Sequence, residues 1–202
     1  AVDAAIAADL LKEPGGHADW TLAGSRVRRA RGLALLERKG PLPGSGSWTH
    51  QYADVGNSSV SSDTRVKAPL GLLWFGGSSN KNILPRHGHG PTEQVVGGRL
   101  FIEGPNMIRA VDVYTGRVLW EKSLPSVGEV FNYTGHQPGA NATGSNYVSV
   151  EDGIYVAYLS KCLRLDPETG RTIGQFPLPP LLNGRRPQWG YIGVWDNLLI
   201  AG

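Results

Sequence analysis

The stretch IRAVDVYTGRVLWEKSLP, residues 108–125, returns later in the chain as CLRLDPETGRTIGQFPLP, residues 162–179. The two stretches align without a gap at an offset of 54 residues, the distance from Asp112 to Asp166. Both copies end in Leu-Pro. An ungapped match of turn residues, strand pattern and terminal Leu-Pro indicates one structural unit used twice. The matched turn residues are Asp112, Thr115, Gly116 and Arg117, with counterparts Asp166, Thr169, Gly170 and Arg171.

The repeat extends beyond these stretches. Residues 95–104 align with residues 149–158 at the same offset, and both pair a turn with an alternating apolar run. GVWDNLLIAG, residues 193–202, begins a third copy after a shorter interval. A fixed core with insertions of varying length is typical of repeat architectures.

Composition favours an all-β fold. The chain has 28 Gly and 14 Pro, and charged residues make up only 18%. Short strand-like runs alternate with turn clusters, as in sheet arrays. We predict one antiparallel four-stranded sheet within residues 95–122 and another within 147–176, stacked face to face. Asp112 is expected to brace the Thr115-Gly116 turn, and Trp120 is expected to pack against the neighbouring unit.

The string RAVDVYTGRVLWE resembles the Ala-x-Asp-x-x-Thr-Gly-x-x-x-Trp repeat of the quinoprotein (PQQ) dehydrogenase-like β-propellers. That family includes quinone-dependent alcohol dehydrogenases and the propeller lipoproteins of outer-membrane protein assembly. In the second copy Arg164 replaces the Ala and Gly174 replaces the Trp. The resemblance implies a β-propeller with four-stranded antiparallel blades, in the periplasm or outside the cell. The matching residues are Ala110, Asp112, Thr115, Gly116 and Trp120, then Asp166, Thr169 and Gly170.

Two domains are expected. Residues 1–40 form a short α/β segment, with a helix in 1–16 and two strands around Ala23-Gly24-Ser25. This segment is either the tail of an upstream domain or a strand that closes the ring. Residues 41–202 form a partial propeller, with blades near 48–80, 92–125, 146–179 and 189–202. Since these blades do not close a ring, we expect the remaining blades from the same protein or from another chain.

No quinone site is predicted in this stretch. Many dehydrogenases of the family pair adjacent cysteines beside the quinone, and this chain has the single cysteine Cys162. No acidic cluster has the spacing of a calcium loop either. We expect Cys162 to be a buried structural thiol. A quinone-dependent oxidoreductase whose cofactor residues lie outside this chain remains an alternative.

The resemblance implies that loops before the innermost strands surround a central channel. The His-x-His pattern of His87 and His89 suits a metal ion, although ordinary hydrogen-bonded loop histidines have the same pattern. Arginines with histidines also suit an acidic sugar, as in a polysaccharide lyase. The loop residues singled out are Arg86, His87, His89 and His136 as catalytic candidates, and Arg185, Arg186 and Trp189 as ligand-binding candidates.

Two classes of function therefore compete. The first is an extracytoplasmic scaffold or binding module within a larger protein, whose partner is a protein or an acidic glycan. The second is an enzyme with its active site at the channel mouth. The absence of a quinone motif favours the first. The basic cluster at residues 26–31 lacks interleaved aromatic residues, so no nucleic-acid partner is expected. No apolar run is long enough for a membrane span.

Overall fold

A computed structural model describes residues 25–30, 33–38, 40–77, 79, 82–85, 90–133, 135, 138–185 and 187–202. The chain divides into two compact units, Ala1–Gly40 and Pro41–Gly202. The helix predicted within residues 1–16 lies outside the described residues.

The described part of the first unit is a β-hairpin. Strands β1 (Ser25–Ala30) and β2 (Leu33–Arg38) pair antiparallel, and the last pair before the connection is Ala30 with Leu33. Two strands were expected here, but the connection predicted at residues 23–25 is wrong. Ser25 pairs with Arg38 across the hairpin, so it begins a strand instead of lying in a turn.

The second unit begins with the predicted four-stranded antiparallel sheet, here called the first sheet. Its strand order is β3-β4-β5-β6, so each strand pairs with the next along the chain. Gly97 and Gly98 connect β3 to β4 with φ of +61° and +76°. A two-residue hairpin turn requires these angles, and glycine adopts them without steric cost. The strands are β3 (Gln94–Val96), β4 (Arg99–Gly104), β5 (Met107–Asp112) and β6 (Val118–Ser123).

The second predicted sheet is also confirmed, with the same strand order. A 3-10 turn, Glu129–Phe131, and one helical turn, Ala140–Thr143, lie between the two sheets. A third sheet of two strands follows. The second sheet contains β7 (Tyr147–Val150), β8 (Gly153–Tyr158), β9 (Lys161–Leu165) and β10 (Thr172–Pro177), and the third contains β11 (Ile192–Trp195) and β12 (Leu198–Ala201).

The predicted brace of the Thr-Gly turn is present in both copies. The Asp112 carboxylate accepts hydrogen bonds from the amides of Tyr114 (3.0 Å) and Thr115 (2.9 Å). Asp166 accepts equivalent bonds from the amides at positions 168 (3.0 Å) and 169 (2.7 Å). The Thr169 hydroxyl also donates to Asp166 and is the largest contribution that lowers the pKa of this carboxyl. The turns end in glycines with φ of +71° and +69°.

The sheets stack face to face, as predicted. One face of the second sheet packs against the first sheet, and its opposite face packs against the third sheet. Cys162 lies in the second of these interfaces, fully buried, and burial raises the pKa of its thiol to about 12. This confirms the expected structural thiol. The first interface contains Phe101, Ile108, Ala110, Trp120, Tyr147, Ile154, Val156, Leu163 and Leu165, and the second contains Val148, Tyr155, Cys162, Ile192 and Val194.

Trp120 joins the first sheet to the second, as predicted. Its side chain is buried, and its indole Nε1 donates a 2.9 Å hydrogen bond to the carbonyl of Pro167. The indole ring lies directly on Gly170, where an added Cβ would be 2.6 Å from Cε3 of the ring. The tryptophan of one sheet therefore docks on the Thr-Gly turn of the next sheet, and we call this docking surface the seat.

Trp74 makes the same contact one repeat earlier. Its Nε1 donates a 2.9 Å hydrogen bond to the carbonyl of Val113, and its ring lies on Gly116. Val113 and Gly116 precede Pro167 and Gly170 by the 54 residues of the repeat. The described residues around Trp74, up to residue 77, form no regular secondary structure. Residues 48–77 of the expected blade 48–80 contain only two isolated bridges, Trp48 with Val95 and His50 with Ala53.

The second copy keeps the strand register of the first copy, but the large and small residues of this pair are exchanged. In the first sheet Ala110 pairs with Trp120, whereas in the second Arg164 pairs with Gly174. The small residue thus stands on the opposite strand. The Arg164 guanidinium lies 5.8 Å from the centre of the Tyr155 ring and bonds to Asp152 at 2.8 Å. An arginine–tyrosine contact covers the face that an indole covers in the first sheet.

We predict that Gly170→Ala disrupts the docking of Trp120 and that Gly184→Ala does not. Both glycines have positive φ (+69° and +76°), so alanine is strained at either position by about 1–2 kcal/mol. Only at Gly170 does the new Cβ also meet the indole, which adds about 1–3 kcal/mol. Urea unfolding of the two variants measures the difference. Equal losses in both would show that the docking does not stabilise the fold.

Candidate functional site

Three consecutive residues, Trp48-Thr49-His50, connect the first strands of all three sheets; we call them the crossing tripeptide. Trp48 exchanges two backbone hydrogen bonds with Val95 of β3, both 2.8 Å. The carbonyl of Thr49 accepts a 3.0 Å bond from the amide of Ser149 in β7. His50 Nε2 accepts a 3.2 Å bond from the amide of Val194 in β11. One residue of the tripeptide thus serves each sheet.

These contacts bring the beginnings of β3, β7 and β11 together. Val95 and Ser149 occupy the same position in the first two copies. The first strand of each sheet is an edge strand, and edge strands offer unpaired backbone groups. The tripeptide bonds to such a group in each sheet. The segments that lead into the three strands therefore approach each other at one end of the stacked sheets.

His50 is held as a neutral imidazole. Because Nε2 accepts the Val194 amide, the ring proton must be on Nδ1, which lies 2.8 Å from the Thr49 hydroxyl. That hydroxyl donates in turn to the carbonyl of Ala53 at 3.2 Å. The side chain is 4% exposed, and burial lowers the pKa of His50, although the nearby Asp54 charge acts in the opposite direction. Both ring nitrogens are occupied, so His50 is a structural group and no catalytic base.

A pocket of about 210 Å³ opens beside His50. One wall is the loop at residues 50–57, the second is the helical turn Ala140–Thr143 with the residues after it, and the third is the start of β11. The Tyr52 hydroxyl donates to the carbonyl of Asn141 at 2.6 Å and ties the first two walls together. The lining residues are His50, Gln51, Tyr52, Asn57, Asn141, Ala142, Thr143, Gly144, Ser145, Tyr191 and Ile192.

Glu103 is a second unusual group at the same end of the sheets. Its carboxyl is buried between the first and second sheets, 4% exposed, and accepts a 3.0 Å bond from the Asn146 amide. Its second oxygen, Oε2, has no hydrogen-bond partner in the part of the chain that the structure describes. Burial raises the pKa of Glu103 to about 8, which the Asn146 bond only partly offsets. The group is therefore mostly protonated near neutral pH.

The catalytic residues predicted from sequence, Arg86, His87, His89 and His136, lie outside the described residues, as does Arg186. Their predicted roles stay predictions. Pro85 and Gly90, which flank the first of these loops, are joined by a 3.2 Å backbone hydrogen bond.

The other two ligand-binding candidates lie apart from the pocket lining. Arg185 is exposed, and its backbone bonds to Asn183 and Leu181 within its own turn. Trp189 packs beside the interface of the second and third sheets, where its buried Nε1 has no partner among the described residues.

Among the residues that the structure describes, no group of three or more His, Cys, Asp or Glu side chains is arranged to hold a metal ion. In the same part of the chain, no helix is long and apolar enough to cross a membrane. Comparison with protein-family models and with curated protein sequences finds no match for this chain.

Sequence reasoning missed His50 and Glu103. His50 sits in WTHQY, a string without a motif, and its partner Val194 is 144 residues away. Glu103 has a detectable signal, because it ends the alternating run RLFIE on the apolar face that contains Phe101. A carboxylate at an apolar position of a strand is a buried-acid candidate.

We predict that the contribution of His50 to stability falls as pH drops below about 6.5, and that His50→Gln removes this pH-dependent contribution. With a lowered pKa in the folded state, His50 contributes fully above its ordinary pKa of 6.5, and its contribution is lost as pH falls through the folded pKa. Glutamine keeps an acceptor for the Val194 amide but does not titrate. Urea unfolding of the parent and of His50→Gln between pH 5 and 7 measures the difference in slope, because the opposite contribution of Glu103 is common to both proteins. The same slope in both would contradict the assignment.

We predict the opposite dependence for Glu103. Because its pKa is raised, the contribution of Glu103 to the free energy of unfolding is fully present below pH 4.5. This contribution decreases as pH rises towards 8. Glu103→Gln removes this decrease and should stabilise the protein at pH 7 by on the order of 3 kcal/mol, with little effect near pH 4. The exposed Glu151→Gln is the matched control. A Glu103→Gln effect that is independent of pH would rule out the neutral acid.

Proposed function

We propose that residues 41–202 form part of a β-propeller that acts as an extracytoplasmic binding module within a larger protein. The sheets are its blades, and the crossing tripeptide lies at their inner ends. The periplasmic or extracellular location rests on the resemblance of the repeat to quinoprotein-like propellers.

The observation that carries this proposal is the docking of Trp74. Leu72-Leu73-Trp74 matches Val118-Leu119-Trp120 of β6, and both indoles use the same seat on the sheet that follows. Residues 72–77 therefore stand where the outermost strand of a preceding blade would stand. The chain then carries parts of four successive blades, stacked in the same sense.

The apolar residues beside Trp74 support this arrangement. Leu72, Leu73 and Phe75 are 79%, 67% and 93% exposed. Consecutive large apolar side chains at such exposure indicate a surface that another element covers. In the proposed propeller the three inner strands of the same blade, from elsewhere in the protein or from a partner chain, cover them.

The crossing tripeptide supports the radial arrangement. If the sheets were stacked parallel to one another, their first strands would be as far apart as the sheets themselves. Three adjacent residues could not then bond to all three sheets. Successive residues of an extended chain are only about 3.3 Å apart along the strand. The first strands of the blades therefore converge, as strands do around a propeller axis.

The binding role follows from where the pocket lies. It opens at the end where the inner strands begin, and rigid sheets position its three walls. Ligand sites commonly lie on loops held by such a scaffold.

We predict that the amides of residues 72–77 exchange hydrogen slowly in the native polypeptide purified from its source and rapidly in the 202-residue chain. The proposed inner strands supply backbone partners only in the first case, so exchange should slow by about tenfold or more. Mass spectrometry of the peptides measures this, with the amides of β4 and β8 as internal references. Equal exchange of residues 72–77 in both samples would overturn the propeller assignment.

A further inference from the structure

The described residues that line the pocket beside His50 carry no ionised side chain. They include no Asp, Glu, Lys or Arg, and their histidine is held neutral. A charged group that gave up hydration against this described lining would gain no cation in exchange, which is a cost. The described lining therefore favours an uncharged ligand.

The lining offers amide and hydroxyl groups. Gln51 uses its Oε1 to accept the Thr92 amide at 3.1 Å, so its Nε2 remains as a donor. Asn141 uses its Oδ1 to accept the Gly139 amide at 3.3 Å, so its Nδ2 also remains. Asn57 is exposed and contributes both a donor and an acceptor. These groups match a ligand with several hydroxyls, each of which both donates and accepts.

Aromatic faces complete the lining. Tyr191 packs closely on Gly144, where an added Cβ would be 3.1 Å from the ring. Tyr191 as a whole residue is 37% exposed. Tyr52 is fixed by its hydroxyl bond to Asn141. Sugar rings present apolar C–H faces beside their hydroxyls, and such faces pack on held aromatic rings.

The size of the pocket restricts the ligand further. At about 210 Å³ it is smaller than the roughly 300–1,000 Å³ of pockets for drug-sized ligands. It accommodates one sugar ring and leaves the rest of a chain outside. A peptide that binds by adding a strand would require a free strand edge, and the tripeptide already bonds to the first strands in this region.

We propose that this pocket binds one uncharged sugar unit of a glycan, with Tyr191 against the ring face and Gln51, Asn57 and Asn141 on its hydroxyls. The proposal rests on the binding role given above and names its ligand class. No chemical step is implied, because His50 has no free nitrogen and Glu103 is buried away from the lining.

The test is titration of the 202-residue chain by isothermal calorimetry with three sets of ligands. These are neutral hexose oligosaccharides, oligosaccharides of uronic acids, and an uncharged Ser/Gly/Asn peptide of similar length. We expect binding of at least one neutral oligosaccharide. Tyr191→Ala and Asn57→Ala should each weaken it by about tenfold, and Asn197→Ala, an exposed asparagine outside the pocket, should leave it unchanged. Circular dichroism confirms that each variant is folded.

Several outcomes overturn the sugar assignment. These are no binding of any neutral sugar, equal or tighter binding of uronic acids, preferential binding of the peptide, or the same affinity in Tyr191→Ala as in the parent. The hydrogen-exchange experiment separates this failure from that of the propeller. If residues 72–77 are protected but no sugar binds, the propeller proposal stands and the sugar proposal fails. If a sugar binds but these residues are not protected, the sugar proposal stands and the propeller proposal fails.

Discussion

The contact between a tryptophan and the glycine turn of the next sheet determines most of what the repeat must contain. The indole needs a flat seat without a side chain, which Gly116 or Gly170 provides. It also needs an acceptor for Nε1, which is a carbonyl within the same turn. The turn keeps its shape because an aspartate accepts its amides. The repeated letters of the sequence thus describe a joint between neighbouring sheets.

The crossing tripeptide adds a second connection between the sheets. Tryptophan docking connects the sheets at their outer strands, and the tripeptide connects them at their first strands. Two such ties on opposite edges fix the angle between neighbouring sheets more firmly than a flat apolar interface does. The pocket then inherits its shape from the framework, because Tyr52, Asn141 and Tyr191 come from three separately anchored segments. A site positioned in this way is pre-organised, which lowers the entropic cost of binding.

The repeated sheet could be predicted because its determinants are local. Asp112, Gly116 and Trp120 lie within one hairpin, and each acts through geometry that a short string specifies. Trp74 was harder to recognise as a member of the series, because no Asp-x-x-Thr-Gly string stands before it in the sequence. His50 and Glu103 could not be assigned roles from their neighbours. Their environments are made by Val194 and Asn146, which only the tertiary structure brings to them.

The bond between His50 and Val194 also affects how the chain reaches its fold. These residues are 144 positions apart, so the histidine leaves the ribosome long before its partner is made. At about 5–20 residues per second the interval is roughly 7–30 s, far longer than a hairpin needs to form. During that time the first two sheets can assemble and stack, whereas the bond from His50 to the third sheet cannot yet form. The tripeptide precedes all three sheets in the chain and is thus completed last, when the third sheet joins the two that are already stacked.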